Sequence, residues 1–215
     1  MSGTNPEAAI LVFARAPVPG AAKTRLIPLL GAAGAAALHA RLIERALATA
    51  RAAAPEIFEL WCTPDAAHPF LQSAALAHGA TLRIQQGSDL GERMAHALAD
   101  ALRRGNVALC IGTDCPALTA QRLRDAAAAL HDGNDAVFVP AEDGGYALVG
   151  LARDAPRLFR GIVWGGSQVM AETRTRLREL GLRWRELETL WDVDRPADYQ
   201  RLQQSGLLRD ARAPV

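Results

Sequence analysis

Short apolar runs alternate with longer amphipathic ones along most of this chain. Ile10–Phe13, Ile57–Cys62, Thr81–Gln85, Val107–Gly112, Ala136–Pro140, Ala147–Leu151 and Leu182–Leu187 read as strands. Between them lie helical patterns. Gly34–Ala52 carries Leu38, Leu42/Ile43 and Ala46/Leu47 on one stripe, with Arg41, Glu44 and Arg45 mostly opposite, and Pro55 stops it. Ala66–His78 reads as a second helix. In a third, Asp89 and Glu92 have capping-box spacing ahead of Leu90, Met94, Leu98 and Leu102. Thr119 caps a helix that buries Leu123, Ala127 and Leu130, and Ser167 caps one reaching about Leu180. Pro196 opens the last helix at its first position, where a missing N–H costs nothing.

Strands that alternate with helices of ten or more residues predict βαβ units. The expected fold is therefore α/β, three-layer α/β/α around a mostly parallel sheet. At 215 residues, with no internal repeat and no linker of changed composition, one domain over 1–215 is expected, with 1–8 and 209–215 as flexible ends.

Composition narrows the function classes. Half the residues are hydrophobic, 22% are charged, and the net charge is +1, so no global field draws the chain to nucleic acid or an anionic membrane. The N-terminus lacks the order of a signal peptide, and no apolar run approaches the roughly 20 residues of a membrane span. Three cysteines do not make a secreted disulfide framework, and Cys110 and Cys115 lack the second pair a zinc site needs. A cytoplasmic protein is expected. The five histidines sit singly, and solvated positions are expected for each.

Four stretches could carry chemistry. In Val107–Pro116 a buried strand breaks at Gly112 and delivers Asp114 to the edge where open α/β sheets bind ligands. Asp114 there is either a turn-capping residue or a ligand for a divalent metal on a nucleotide diphosphate. The loop Ala14–Arg25 follows the first strand. Gly20 and its small neighbours allow close approach to an anion, and Arg15, Lys23 and Arg25 supply positive charge. It is neither a Walker A loop nor G-x-G-x-x-G; the alternative is a solvated surface loop. Trp191–Asp194 places Asp192 and Asp194 on one face if extended, as second metal ligands or, for one of them, as a cap for the last helix. In the Glu142–Tyr146 loop Asp143 could accept from a hydroxyl, Gly144 and Gly145 would let a ligand approach, and Tyr146 offers a stacking face. The same residues are hairpin-turn signals. Trp164, ahead of Gly165 and Gly166, is a further acceptor-side candidate beside an ordinary helix start.

Taken together, LVFARAPVPGAAKTRL, QQGSDLGERM, IGTDCPAL, PAEDGGYALVGL and WDVDRPADYQRL resemble one family across nearly the whole chain. It is the small bacterial family of candidate GT-A-type glycosyltransferases known as domain of unknown function 2064, which includes proteins of arsenosugar biosynthesis. That family is similar in fold to the guanylyltransferases for the molybdenum cofactor and for 2-phospho-L-lactate. The resemblance implies a nucleotide-diphospho-sugar transferase fold with Mg²⁺ or Mn²⁺. It implies Lys23 and Arg25 in the nucleotide-phosphate loop, Asp114 as the reduced counterpart of a metal-binding D-x-D, and Asp143–Tyr146 as an acceptor-side loop. This chain departs from the pattern at Gly112, where the partner aspartate would stand, and at Arg195, where a capping threonine is usual.

The expected activity is transfer of a sugar from a nucleotide-activated donor to a small acceptor. Asp114 and Asp143 would be catalytic, and Asp114, Asp192 and Asp194 would be the metal candidates. The runner-up is nucleotidyl transfer from an NTP with release of pyrophosphate. A third possibility is a nucleotide-binding protein without turnover. The oligomeric state is open.

Overall fold

The computed structural model describes residues 8–54, 56, 58–105 and 107–208. Pro55, the start of the second strand at Ile57, and the ends expected to be flexible (Ala8 excepted) fall outside them. Seven strands form one sheet in the order β3-β2-β1-β4-β6-β5-β7. They are β1 Ala8–Arg15, β2 Phe58–Thr63, β3 Thr81–Ile84, β4 Val107–Ile111, β5 Ala136–Pro140, β6 Tyr146–Leu151 and β7 Trp184–Glu186. Every pairing is parallel except those of β6, which runs antiparallel to both β4 and β5. β5 and β6 are joined by the loop 141–145, so the hairpin reading of the Glu142–Tyr146 stretch holds.

Side-chain alternation explains the layers. Ile10, Val12, Leu60, Leu109 and Ile111 face α1 (Ile27–Ala53), α2 (Pro69–His78) and α4 (Ala120–His131). Ala9, Leu11, Trp61, Cys110, Phe138 and Val149 face α3 (Leu90–Arg103) and α5 (Val169–Glu179). A third cluster joins Leu26, Leu38 and Leu42 to Trp191, Val193 and Leu202, seating α6 (Pro196–Ser205) beside the first half of α1. The α/β/α expectation is met.

Two local readings are corrected and one is extended. The helix expected from about Gly34 is preceded by a short helical piece from Ile27, with Pro28 in its first turn, and Gly31, non-helical at φ +71° and ψ 166°, is the kink that separates the two. Ala8, expected in the flexible leader, is the buried first residue of β1. α5 starts after Gln168 with no side-chain cap, so Ser167 does not cap it. By length and composition Thr24–Ala53 could cross a membrane, where the sequence predicts no such apolar run. Here Leu42, Ile43 and Leu47 pack into the protein's own core, and Arg45 binds the carbonyls of Pro116 and Leu207 at 2.6 and 2.7 Å.

The order of strands fixes where a ligand meets the sheet. From β1 the chain lays β2 and β3 on one side, then returns to place β4 on the other. The segments leaving β1 and β4 therefore diverge from adjacent strand ends, which is the crevice where α/β sheets bind ligands. Those segments contain Arg15–Arg25 and Asp114.

Candidate functional site

Asp114 is held from three directions. β4 ends at Ile111, Thr113 is buried, and the Asp114 carboxylate emerges with 49% of its side chain exposed. Lys23 Nζ lies 2.8 Å from Asp114 Oδ1 and donates to the Val193 carbonyl at 2.6 Å. The Val193 N–H in turn donates to the Asp114 carbonyl at 2.8 Å. Burial alone would raise the Asp114 pKa, but the charge and hydrogen bond of Lys23, then His39 and Thr113, hold it below the ordinary carboxylate value. Lys23 has φ +49° and ψ 45°, the one positive φ at a non-glycine among the described residues. A left-handed backbone at such a residue costs on the order of 1–2 kcal/mol, and here it turns the ammonium inward.

His39 completes this cluster, and the expectation of a solvated histidine was wrong. It is 7% exposed, with Nε2 3.1 Å from the Arg15 carbonyl, to which it donates. That fixes the neutral tautomer and leaves Nδ1 as a buried acceptor with no partner, 4.0 Å from Asp114 Oδ1. Burial lowers the His39 pKa against the pull of Asp114. Its signal in the sequence was the four-residue row Ala35, His39, Ile43, Leu47, all of whose members are buried. The others differ too: His78 pairs with Glu44 at 2.5 Å, His96 meets the Trp61 ring edge-on, His68 is partly buried, and His131 alone is exposed.

Trp191–Asp194 alternates as expected. Trp191 and Val193 are buried beside α1, and Asp192 and Asp194, each following one of them, are partly exposed. Their partners differ. Burial, then the charges of Asp143 and Asp114, push the Asp192 carboxyl up from 3.8 to about 6. Asp192 therefore shares one field with carboxylates from two other loops. Asp194 instead binds Arg25. The cap of α6 comes from Asp198, whose carboxylate accepts from the N–H groups of Arg195 at 2.7 Å and Asp194 at 3.1 Å. A threonine at 195 is thus not needed for a cap.

In the β5–β6 loop, Asp143 Oδ1 accepts from the Gly145 N–H at 2.8 Å, which shapes the turn and leaves the side chain exposed. Gly144 has φ +91°, and a Cβ there would lie 2.0 Å from the Ser167 carbonyl oxygen. Its carbonyl accepts from Met170 N–H at 2.8 Å. The close approach at Gly144 is thus to the chain's own α5 start, not an opening for a ligand. Tyr146 is partly buried, its ring edge-on to Phe138 at 5.3 Å and to Trp164 at 6.4 Å. Trp164 packs so tightly on Gly91 of α3 that a Cβ at Gly91 would lie 2.6 Å from its ring. These two aromatics tie α3 to the β5–β6 hairpin. Arg201 bonds Glu142 at 2.8 Å and lies 4.6 Å over the Trp191 ring, anchoring the loop's other side.

Arg15 and Arg25 are exposed around the Lys23 loop, and a Cβ at Gly20 (φ +83°) would meet nothing within 4 Å. The structure therefore brings Lys23, Asp114, Asp143 and Asp192 together, with Arg25 and Asp194 paired at the margin. Tyr146, Trp164 and Gly144 serve packing. Among the described residues no three His, Cys, Asp or Glu side chains converge at metal-ligand distance. Two carboxylates, though, are what Mg²⁺ typically takes from a protein when phosphates supply the rest.

The fold is that of an α/β protein of the nucleotide-diphospho-sugar transferase type. The chain belongs to the family described as uncharacterized proteins conserved in bacteria (DUF2064), which matches residues 45–166, more than half of its length. A candidate nucleotide-diphospho-sugar transferase from Desulfovibrio desulfuricans G20 is similar at 30% identity and TM-score 0.80, over 97% of this chain and 100% of its own. A 4-diphosphocytidyl-2C-methyl-D-erythritol synthase from Anaerococcus prevotii DSM 20548 shares the fold at TM-score 0.60 and 11% identity, over 92% of this chain and 96% of its own. A cytidylyltransferase from Leptospira borgpetersenii serovar Hardjo-bovis does so at 0.58 and 11%, over 98% and 100%. No protein of curated function matches the sequence.

Proposed function

We propose that this protein is a metal-dependent transferase acting on a nucleotide-activated donor, and that it moves a sugar from an NDP-sugar to a hydroxyl of a small acceptor. The observation that carries the reading is the meeting of the Asp114, Asp143 and Asp192 carboxylates, from three different loops, beside Lys23. Three loops crowd negative charge against the switch point of the sheet, an arrangement that suits a divalent cation. Asp114 and Asp192 would hold Mg²⁺ or Mn²⁺, with donor phosphates completing its shell. Asp194, paired with Arg25, supports the basic loop instead. The cation, when bound, would supply positive charge against the diphosphate.

This chain's own residues do the rest. Arg15, Arg25 and Lys23 hold the diphosphate from the β1 side, with Gly20 leaving room for it. Exposed Asp143 orients the acceptor hydroxyl and takes its proton. The hydroxyl oxygen bonds to the anomeric carbon, and the carbon–oxygen bond to the diphosphate breaks with its electron pair on the departing NDP. The 30%-identical relative supports this reading.

Nucleotidyl transfer is the second reading. It is favoured by the three basic residues of the β1 loop and by the printed names of the more distant fold relatives. Thermal shift against NTPs and NDP-sugars, with and without Mg²⁺ or Mn²⁺, separates the two when followed by product analysis. Free NDP supports glycosyl transfer, and pyrophosphate supports nucleotidyl transfer. Absence of any nucleotide-dependent shift, or a shift unchanged in Asp114→Asn, would remove Asp114 from the site.

A further inference from the structure

Lys23 is the single lysine of the chain, yet it does not present its charge to solvent. Its side chain is 4% exposed, and its ammonium is satisfied within the protein by Asp114 Oδ1 and the Val193 carbonyl. A lysine waiting for phosphate would do neither. The open member of the pair is the carboxylate, at 49% exposure. The left-handed backbone at Lys23 shows that the loop bends against its own preference to set the ammonium there. His39, buried beneath, keeps Nδ1 without a partner while Nε2 anchors the Arg15 carbonyl at the loop's start.

We infer that Lys23 is an internal stand-in for the divalent cation: it occupies Asp114 in the nucleotide-free protein and leaves when a donor diphosphate draws it off. This rests on the proposed metal-dependent function and adds a coupling to it. Diphosphate and metal reinforce each other, because each alone meets a site of mixed charge. The diphosphate without metal meets Arg15 and Arg25 but also faces Asp114, Asp143 and Asp192, and the metal without diphosphate faces an ammonium. Removing Lys23 then has two opposite effects. It opens Asp114 to a cation and weakens the hold on phosphate.

The test is Mn²⁺ binding followed by electron paramagnetic resonance, alone and with ADP, GDP, CDP or UDP. Wild type should bind Mn²⁺ weakly alone and at least tenfold more tightly with the NDP it selects. Lys23→Met should bind Mn²⁺ alone at least tenfold more tightly than wild type and lose most of the enhancement by NDP. Lys23→Arg, which keeps the charge, should stay close to wild type. A second readout needs no variant. In protein labelled with ¹³C-lysine, the one side-chain signal should ignore Mg²⁺ alone and shift with Mg²⁺ plus the NDP. Wild type that binds Mn²⁺ alone as tightly as Lys23→Met, or a lysine signal that moves with Mg²⁺ alone, overturns the inference and leaves the metal site standing. Failure of every protein to bind Mn²⁺ with any NDP overturns the metal-dependent function, and this inference with it.

Discussion

Replacing Asp192 by Asn should make the protein more stable at neutral pH, although it removes a charged group from the site. The Asp192 carboxyl rises from 3.8 to about 6 on folding, through burial and the charges of Asp143 and Asp114. With its folded pKa above its unfolded one, the native state binds the extra proton between those values. The stability tied to that proton is fully present below pH 3.8 and is lost as pH rises through about 6. A shift of that size corresponds to about 3 kcal/mol at full strength. Asp192 is partly exposed, so solvent screening reduces the expected effect to about 1–2 kcal/mol. For a chain of this length that is a melting-temperature rise of roughly 3–6 °C. Thermal melts of both proteins from pH 4 to pH 8 read it directly. The difference should be small at pH 4, grow steadily to about pH 6, and stay nearly constant above. Mg²⁺ with the donor should erase it, because the wild-type carboxylate then has a counter-charge. An Asp192→Asn protein that is less stable at pH 8, or a difference independent of pH, refutes the shared-field argument.

The other site carboxylate should respond with the opposite sign. Asp114→Asn leaves the buried Lys23 ammonium without its anion and should cost about 2 kcal/mol at pH 7, below the 3–5 of a fully buried pair because Asp114 is half open. Since its folded pKa is depressed, wild type should lose this advantage as pH falls below the ordinary carboxylate range, and acid melts check that. Gly144→Ala should destabilise by more than about 3 kcal/mol in urea titrations, since its Cβ would meet backbone at 2.0 Å. Gly20→Ala, with open space around it, should cost only about 1 kcal/mol of backbone strain. His39→Leu strands the Arg15 carbonyl and should cost about 1–3 kcal/mol. His39→Gln, whose amide N–H can reach the same carbonyl, should recover most of the loss in the same melts.

How much of this was readable in the chain follows from which interactions are local. β4 is a run of apolar residues ended by a glycine, so Asp114 could be placed at a strand's carboxyl end from Val107–Pro116 alone. The alternation of Trp191 and Val193 with Asp192 and Asp194 was equally local. Pairings between distant segments were not. Lys23 and Asp114 come from different strand ends and meet only because β1 and β4 are neighbours in the sheet, and that adjacency is a matter of topology. The same holds for Gly144 against Ser167 and Trp164 against Gly91. In each, a residue suited to touching a ligand touches the protein instead, because another segment reaches it first.

His39 shows the converse. In an Ala-rich helix one histidine looks incidental, and its place in the apolar row of Ala35, Ile43 and Leu47, all buried, is the one sign that it faces inward. Once inward, it binds the segment leaving β1 and comes within 4.0 Å of the carboxylate that follows β4. α1 thereby connects both sides of the crevice through one side chain. The polar cluster around Asp114 is continuous from helix to sheet to the 191–194 segment, so changes at His39, Lys23 or Val193 should be felt at the carboxylate itself.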